Sequence, residues 1–437
     1  MVFLWIIVLC GQHAFALSPI TINSGNLNPV PIAINQFEAS GIGTDLANQI
    51  RQVIEDDLNN SMLFQSIPNN AFIENKVGAK QIPHFASWKQ INANWLINAT
   101  FFQKARGQVE LQLVLWDIVS GKAVLSESLR IKDSSSWRRV AHMASDKIYE
   151  KITGEPGYFD TQIAYVTIGN KGNNTTRKQK NDSMNKIAIM DFDGNNFKYL
   201  IVKHQSVSTP RFSSTGNQLL YLGYENLIPQ VFLMDLKTHK VSKVGKFQGM
   251  TFAPRFSPDN NKVILSATDP KNGSINIYEH NLNTHTNTQL TNDIAINTSP
   301  TYSPDGSAIY FNSNISGTSQ IYVMNSNGSN VRRISFGEGS YRAPVCSPNG
   351  AHIVFVKITQ DLGFALGVMQ NDGSNERIIT TGNKIDSPTW SPNGRKIIYN
   401  KVHKLQNYLY EIDITGLSER RVSTPDQGVC ADWAKTM

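Results

Sequence analysis

The sequence predicts an α/β N-terminal domain followed by an all-β six-bladed β-propeller closed by the C-terminal strand. Three observations carry this reading: a phrase recurring every 44 to 46 residues, four strand-like segments inside each period, and a worn copy of the phrase near the end of the chain. The phrase is Pro, one residue, an aromatic or apolar residue, then Ser-Pro-Asp-Gly or a close variant. It starts at Pro210, Pro254, Pro300, Pro344 and Pro388, which stand 44, 46, 44 and 44 residues apart. A period of this length points to propellers or solenoids before any other fold.

Every segment of the period reads as a β element. Pro-x-aromatic is a short first strand with the proline at its head. Ser-Pro-Asp-Gly is a tight turn, with Pro at its first corner and Gly supplying positive φ. Apolar second strands follow, for example at Leu219, Val263, Ala308, Ile353 and Ile397, and third strands near Val231, Ile275, Ile321, Leu366 and Leu409. A turn such as Asn371-Asp372-Gly373 then leads to a more polar fourth strand, and four strands per period make one blade. Near the start of the repeats, Gln162, Lys186 and Tyr199 begin a second, third and fourth strand with no first strand before them. The stranded copy Cys430-Ala431-Asp432-Trp433 is the missing type. The chain therefore closes its first blade with its last strand, leaving no long exposed sheet edge.

The repeats begin near residue 160, so a separate domain precedes them. Residues 29–155 start with strand-like Pro29-Val30-Pro31-Ile32-Ala33-Ile34. Ile42, Leu46, Ile50, Val53, Ile54 and Leu58 follow at the spacing of one buried helix face. Three strands near Trp95, Val109 and Ala123 come next, the second alternating in part, so that one sheet face is expected to be wet. Asp133 caps a last helix whose inner face carries Trp137, Val140, Ala141, Ala144, Ile148 and Ile152. The Gly154-Glu155-Pro156-Gly157 cluster ends the domain as a short, stiff linker.

Residues 1–16 read as a secretory signal, an apolar stretch followed by Ala14-Phe15-Ala16, with cleavage between Ala16 and Leu17. No Lys or Arg precedes the stretch. Removal of Cys10 with it would leave only Cys346 and Cys430, so stability is expected from core burial rather than cross-links. Net charge is +7, but the only basic run, Lys171 to Lys180, is a polar Gly-containing loop with no interleaved aromatics, which argues against nucleic-acid binding.

Catalytic patterns are missing from the sequence. It holds no Gly-x-Ser-x-Gly elbow, no His-Glu-x-x-His, no paired-Cys spacing and no phosphate loop. His280 and His285 flank a polar hairpin and read as surface residues rather than metal ligands. Asp191-Phe192-Asp193-Gly194 resembles the start of a calcium loop, but the twelfth position is Val202 and not Glu, so a hairpin turn explains it better. No cofactor, no metal and a monomer are expected. A propeller enzyme or a small-ligand-binding protein using the channel mouth remains the alternative.

An N-terminal segment with Ile20-Thr21-Ile22-Asn23-Ser24-Gly25, a small α/β domain, and six blades built on the repeated phrase and closed by the C-terminus together resemble the TolB family of the Tol-Pal envelope system. The resemblance spans the chain from Leu17 to Trp433. It departs from the pattern at Cys346, where the other phrases carry an aromatic residue, and at Ser214-Thr215, which replaces Pro-Asp. The resemblance implies a non-enzymatic periplasmic protein that links the inner-membrane protein TolA to the peptidoglycan-associated lipoprotein Pal, with other outer-membrane lipoproteins as further partners. It implies that Pal docks on one propeller mouth, at the residues leading into the first strands. These are Met250, Thr251, Phe252 and Ala253; Asn297, Thr298 and Ser299; Arg342 and Ala343; and Asp386 and Ser387. It also implies that TolA takes the mature N-terminal segment 17–28, through Leu17, Ser18, Pro19, Ile20, Thr21, Ile22, Asn23, Ser24 and Gly25. Pal binding would hold that segment against the protein, and its release would permit TolA binding. Outer-membrane integrity and envelope constriction at division are the implied roles.

Overall fold

A computed structural model describes residues 28–40, 43–74, 78–103, 107–168, 185–202 and 206–435. The predicted signal, the N-terminal segment, Ile42 and the Lys171 to Lys180 loop lie outside the described residues. The chain divides into two compact units between Gly157 and Tyr158. No helix among the described residues is long and apolar enough to cross a membrane.

In the first unit, Val30–Ile34 lies parallel between Phe64–Ser66 and Trp95–Gln103, and Val109–Asp117 and Lys122–Ile131 extend the sheet antiparallel. Glu38–Ser40 pairs farther along Trp95–Gln103. Three helices accompany the sheet: α1 (Thr44–Asn60), α2 (Phe85–Gln90), which the sequence pattern did not reveal, and α3 (Trp137–Thr153). The buried face of α1 carries Ile50, Val53, Ile54 and Leu58 as expected, with Ala47 beside them. It also carries Asp57, whose carboxylate meets His142 Nδ1 of α3 at 2.8 Å, both groups being buried. Burying either alone would be costly, so the pair works as one unit joining the helices. The expected wet face of Val109–Asp117 is nearly closed. Glu110 is buried beneath Arg130, Ser128 and Gln112, all of which donate to its Oε1.

The second unit is an all-β propeller. Four of its sheets have four strands: the sheets of Val207–Phe212, Thr251–Phe256 and Asn297–Tyr302, and the one in which Gln427–Lys435 pairs with Thr161–Ile168. A seven-stranded sheet runs from Ser340–Cys346 to Glu419–Arg421. Its 14-residue strand Arg377–Trp390 pairs with Gly363–Gln370 on one side and Lys396–His403 on the other. The sequence suggested two separate strands here, divided by a loop.

Alternation explains the continuous apolar runs of the second strands. Leu219 and Tyr221 point into one cluster, shared with Ala164 and Ile189, whereas Leu220 and Leu222 point into the next, shared with Val263 and Leu265. Ile264 continues to a third cluster with Ile309 and Phe311, from which Tyr310 turns away toward Ile353 and Phe355. Each sheet thus buries both faces, which is why its central strands carry continuous apolar runs. The turns hold the order: in Ser303-Pro304-Asp305-Gly306, Gly306 sits at φ 71° and donates to Ser303 O at 2.9 Å.

The prolines of the phrase do not head their strands. Four of these strands begin three or four residues earlier, and the fifth, Arg377–Trp390, eleven residues earlier; all run through the proline. Register is skipped at the same place each time, between Ser208 and Arg211, Phe252 and Arg255, Thr298 and Thr301, Arg342 and Val345, Asp386 and Thr389, and Val429 and Asp432. A bulge leaves the proline and its predecessor out of the ladder, and Cys430 with Ala431 in the closing strand, so the absent proline N–H costs no bond.

The closing strand is held by more than its ladder. Trp433 Nε1 donates to Thr161 Oγ1 at 2.7 Å, and the indole meets the Tyr158 ring edge-on at 6.0 Å. Replacing Trp433 by Ala should cost about 3–5 kcal/mol and replacing it by Phe about 1–2 kcal/mol, both read as shifts in the urea unfolding midpoint.

Candidate partner-binding mouth of the propeller

The bulges place six equivalent residues in the left-handed region. These residues are Thr209 (φ 45°), Ala253 (50°), Ser299 (55°), Ala343 (48°), Ser387 (53°) and Cys430 (56°). None is glycine, so each carries strain that the surrounding sheet must hold. Ala253, Ser299, Ala343, Asp386 and Ser387, with the adjoining prolines, line a cavity of about 120 Å³ where the channel opens. Of the sequence-predicted mouth residues, these five line one cavity, and all but Met250 belong to the first strands rather than to loops before them.

They do not all face outward. Thr251 is buried, its hydroxyl accepting the Val231 N–H at 3.0 Å. Asn297 is also buried and donates to Asp293 Oδ1 at 2.8 Å and Asn276 Oδ1 at 3.3 Å. Both tie their strand to neighbouring chain. Met250, Arg342 and Asp386 are exposed, while Phe252, Thr298 and Ser299 are partly so. Asp386 Oδ1 accepts the Ser387 N–H at 2.7 Å, which braces that bulge. Ser387 Oγ lies 3.6 Å from Cys430 Sγ. Both cysteines are free, and burial pushes their pKa values up, that of Cys346 to about 12, so neither is an activated thiol.

Register adds residues that sequence reasoning missed. Ser208 pairs with Leu222, and Glu225 with Ile228, so the turn between second and third strands rises on the mouth side. Leu227 at one such turn and Leu405 at another are 91% and 96% exposed. Both turns have two residues at positive φ: Asn226 and Leu227 at 50° and 66°, Lys404 and Leu405 at 47° and 64°. Such turns favour Asn-Gly, and a leucine there is strained and wet at once. Ile294 and Phe336, in loops arriving on the same side, are 91% and 75% exposed. The signal was present in the sequence as a single apolar residue at each hairpin tip.

The other candidate sites have structural roles. Asp191 and Gly194 close a hairpin turn, with Gly194 N donating to Asp191 O at 2.9 Å and Asn196 Nδ2 to Asp191 Oδ2 at 2.6 Å. His280 is not a surface residue: it is buried, and its Nδ1 meets Asn287 Oδ1 at 2.6 Å. His285 stays exposed in the adjoining turn.

Family models described as the TolB amino-terminal domain and the TolB beta propeller domain match residues 18–124 and 149–435. The chain belongs to the TolB family. It is 43% identical over 272 residues to the Tol-Pal system protein TolB of Rickettsia prowazekii, an alignment covering 62% of this chain and 59% of that one. A second TolB, from Rickettsia peacockii, is 42% identical over 269 residues, covering 61% and 58%. The chain thus spans about six-tenths of the length of these TolB relatives. The crystal structure of TolB from Acinetobacter baumannii superposes with a TM-score of 0.82 at 26% identity, covering 93% of this chain and 96% of that one.

If the two leucines are kept for contact rather than for folding, removing them should relieve strain. Leu227→Gly and Leu405→Gly are each expected to raise stability by about 1 kcal/mol, measured by thermal unfolding, because glycine takes positive φ without penalty.

Proposed function

We propose that this protein is a non-enzymatic periplasmic scaffold of the Tol-Pal system that carries Pal on the propeller mouth and offers its N-terminal segment to TolA. Family membership supports the system. The observation that carries the docking site is the exposed, strained Leu227 and Leu405 standing beside the bulge residues on one face. Large apolar side chains held in water at a conformational cost mark a contact surface.

The seven-stranded sheet reads as two blades joined through Arg377–Trp390, which brings the propeller to six blades with the four four-stranded sheets. The Pal footprint then comprises Met250, Phe252, Ala253, Thr298, Ser299, Arg342, Ala343, Asp386 and Ser387, with Thr251 and Asn297 holding the frame from beneath. Residues 17–25, released after cleavage between Ala16 and Leu17, supply the TolA-binding strand. Coupling between the two sites is an equilibrium between docked and free positions of that segment, and Pal shifts it by binding one position better. About 1–3 kcal/mol of such preference suffices. Through these links the protein supports outer-membrane integrity and envelope constriction at division.

Two measurements test this. A pull-down with purified Pal should retain the mature protein, and the Leu227→Gly/Leu405→Gly double variant should bind about tenfold more weakly or worse despite its greater stability. Failure of the folded, unmutated protein to bind Pal would sink the docking proposal. Deletion of residues 17–25 should abolish TolA binding and leave Pal binding intact, and loss of both would make the segment structural.

A further inference from the structure

Below the mouth, the residues that follow each bulge line the channel. One side chain from each of the six first strands stands there: Arg211, Arg255, Thr301, Val345, Thr389 and Asp432. The two arginines share a level with a single carboxylate. Asp432 Oδ1 lies 3.8 Å from Arg211 Nη1 and 3.9 Å from Arg255 Nη1. It is already engaged, Oδ2 accepting the Phe212 N–H at 2.8 Å and Oδ1 the Thr389 hydroxyl at 3.3 Å.

The arginines differ in what they do. Arg211 is tied to the frame, its Nη1 donating to Pro210 O at 2.8 Å and Ala431 O at 3.2 Å. Arg255 donates no hydrogen bond among the described residues, and the Thr301 hydroxyl beside it in the ring also makes none there. The Arg255 guanidinium is thus left open to the channel with only the 3.9 Å contact to Asp432, a cation with donors to spare for an anion. Burial, and next the Arg211 charge, lower the Arg255 pKa to about 9 against the opposing pull of Asp432, yet the group remains charged at neutral pH.

The space beside this ring is a cavity of about 430 Å³. It opens between the Ser-Pro turns at Pro258, Pro304 and Pro348, on the face opposite the mouth. Phe212, Phe256, Tyr302, Trp390 and Trp433 form its collar. Their polar tips are spent elsewhere: Tyr302 on Glu279, Trp390 on Val345 O and Trp433 on Thr161. The collar therefore presents apolar ring surface. Two cations against one anion leave room for one further negative charge, and a dianion would leave an uncompensated charge beside Asp432.

We propose that this ring in the channel is a binding site for a small organic monocarboxylate, whose carboxylate is held by Arg255 with Thr301 and whose apolar body rests in the aromatic collar. Nothing in this assignment depends on which protein docks at the mouth.

Calorimetric titration of the full-length protein with benzoate, in chloride-free buffer, tests it. Benzoate should bind once per chain. Benzamide, of the same shape without the charge, should bind about tenfold more weakly or worse, the loss expected when a hydrogen bond to a charged group is removed. Arg255→Gln should weaken benzoate by a similar factor, while Lys271→Gln, at an exposed turn, should leave it unchanged. Absence of benzoate binding, equal affinity for benzamide, or an unaltered Arg255→Gln variant would overturn the proposal. Sulfate binding more tightly than benzoate would overturn the monocarboxylate assignment. The benzamide and sulfate comparisons use the unmutated protein and hold even if Arg255→Gln does not fold.

Discussion

Pairing of Gln427–Lys435 with Thr161–Ile168 joins residues that are 272 positions apart at the Trp433–Thr161 bond. Every sheet between them lies in a series whose clusters each need a neighbour on both sides, so the series is stable only when its ends meet. The closing strand also supplies Asp432, which accepts the Phe212 N–H and receives Thr389, one from the strand on either side. The carboxylate here ties together first strands that no ladder pairs with one another. Burial drives this propeller, and the clasp decides whether the burial is complete.

The first strands serve two ends with one device. A bulge at the pre-proline residue bends the strand and removes the proline from the ladder, and the same bend sets a ring of residues at the mouth and another ring one step below. The upper ring varies in chemistry from sheet to sheet, as does the lower one, while the aromatic residue and the turn that follow change less, as at Cys346, at Ser214-Thr215 and between Asp and Asn. Scaffold and sites are interleaved at a spacing of one or two residues, so the phrase that repeats is adjacent to the residues that do not.

Much of this was legible because turn chemistry is local. Ser-Pro-Asp-Gly announces its turn wherever it stands, and the period of those turns implied a propeller. The stranded Trp433 could be matched to a blade lacking a first strand by type alone. What could not be read depended on pairings far apart in sequence. Thr251 and Asn297 looked like mouth residues and are buried because Val231 and Asp293 require them. Asp57 stands out only once α3 places His142 against it. The fused strand Arg377–Trp390 was hidden because its central residues, Gly382 to Lys384, resemble a loop. Leu227 and Leu405 were visible, but only the register shows that their hairpins rise beside the bulges.

That fused strand bears on how the ring can deform. Elsewhere, adjoining sheets meet mainly through side chains, with isolated main-chain bonds such as Tyr341 N–H to Ser319 O at 2.8 Å and Ile275 N–H to Ala295 O at 3.2 Å, and such seams can slide or gape at less cost to the backbone than a shared strand. Where Arg377–Trp390 runs unbroken from one sheet into the next, main-chain pairing continues across the seam, and the two sheets must tilt together. The propeller therefore has one stiff sector among compliant ones. A load applied at the mouth would be taken up mainly in the sectors of Val207–Phe212, Thr251–Phe256 and Asn297–Tyr302, giving a nearly symmetric ring a preferred direction of yielding.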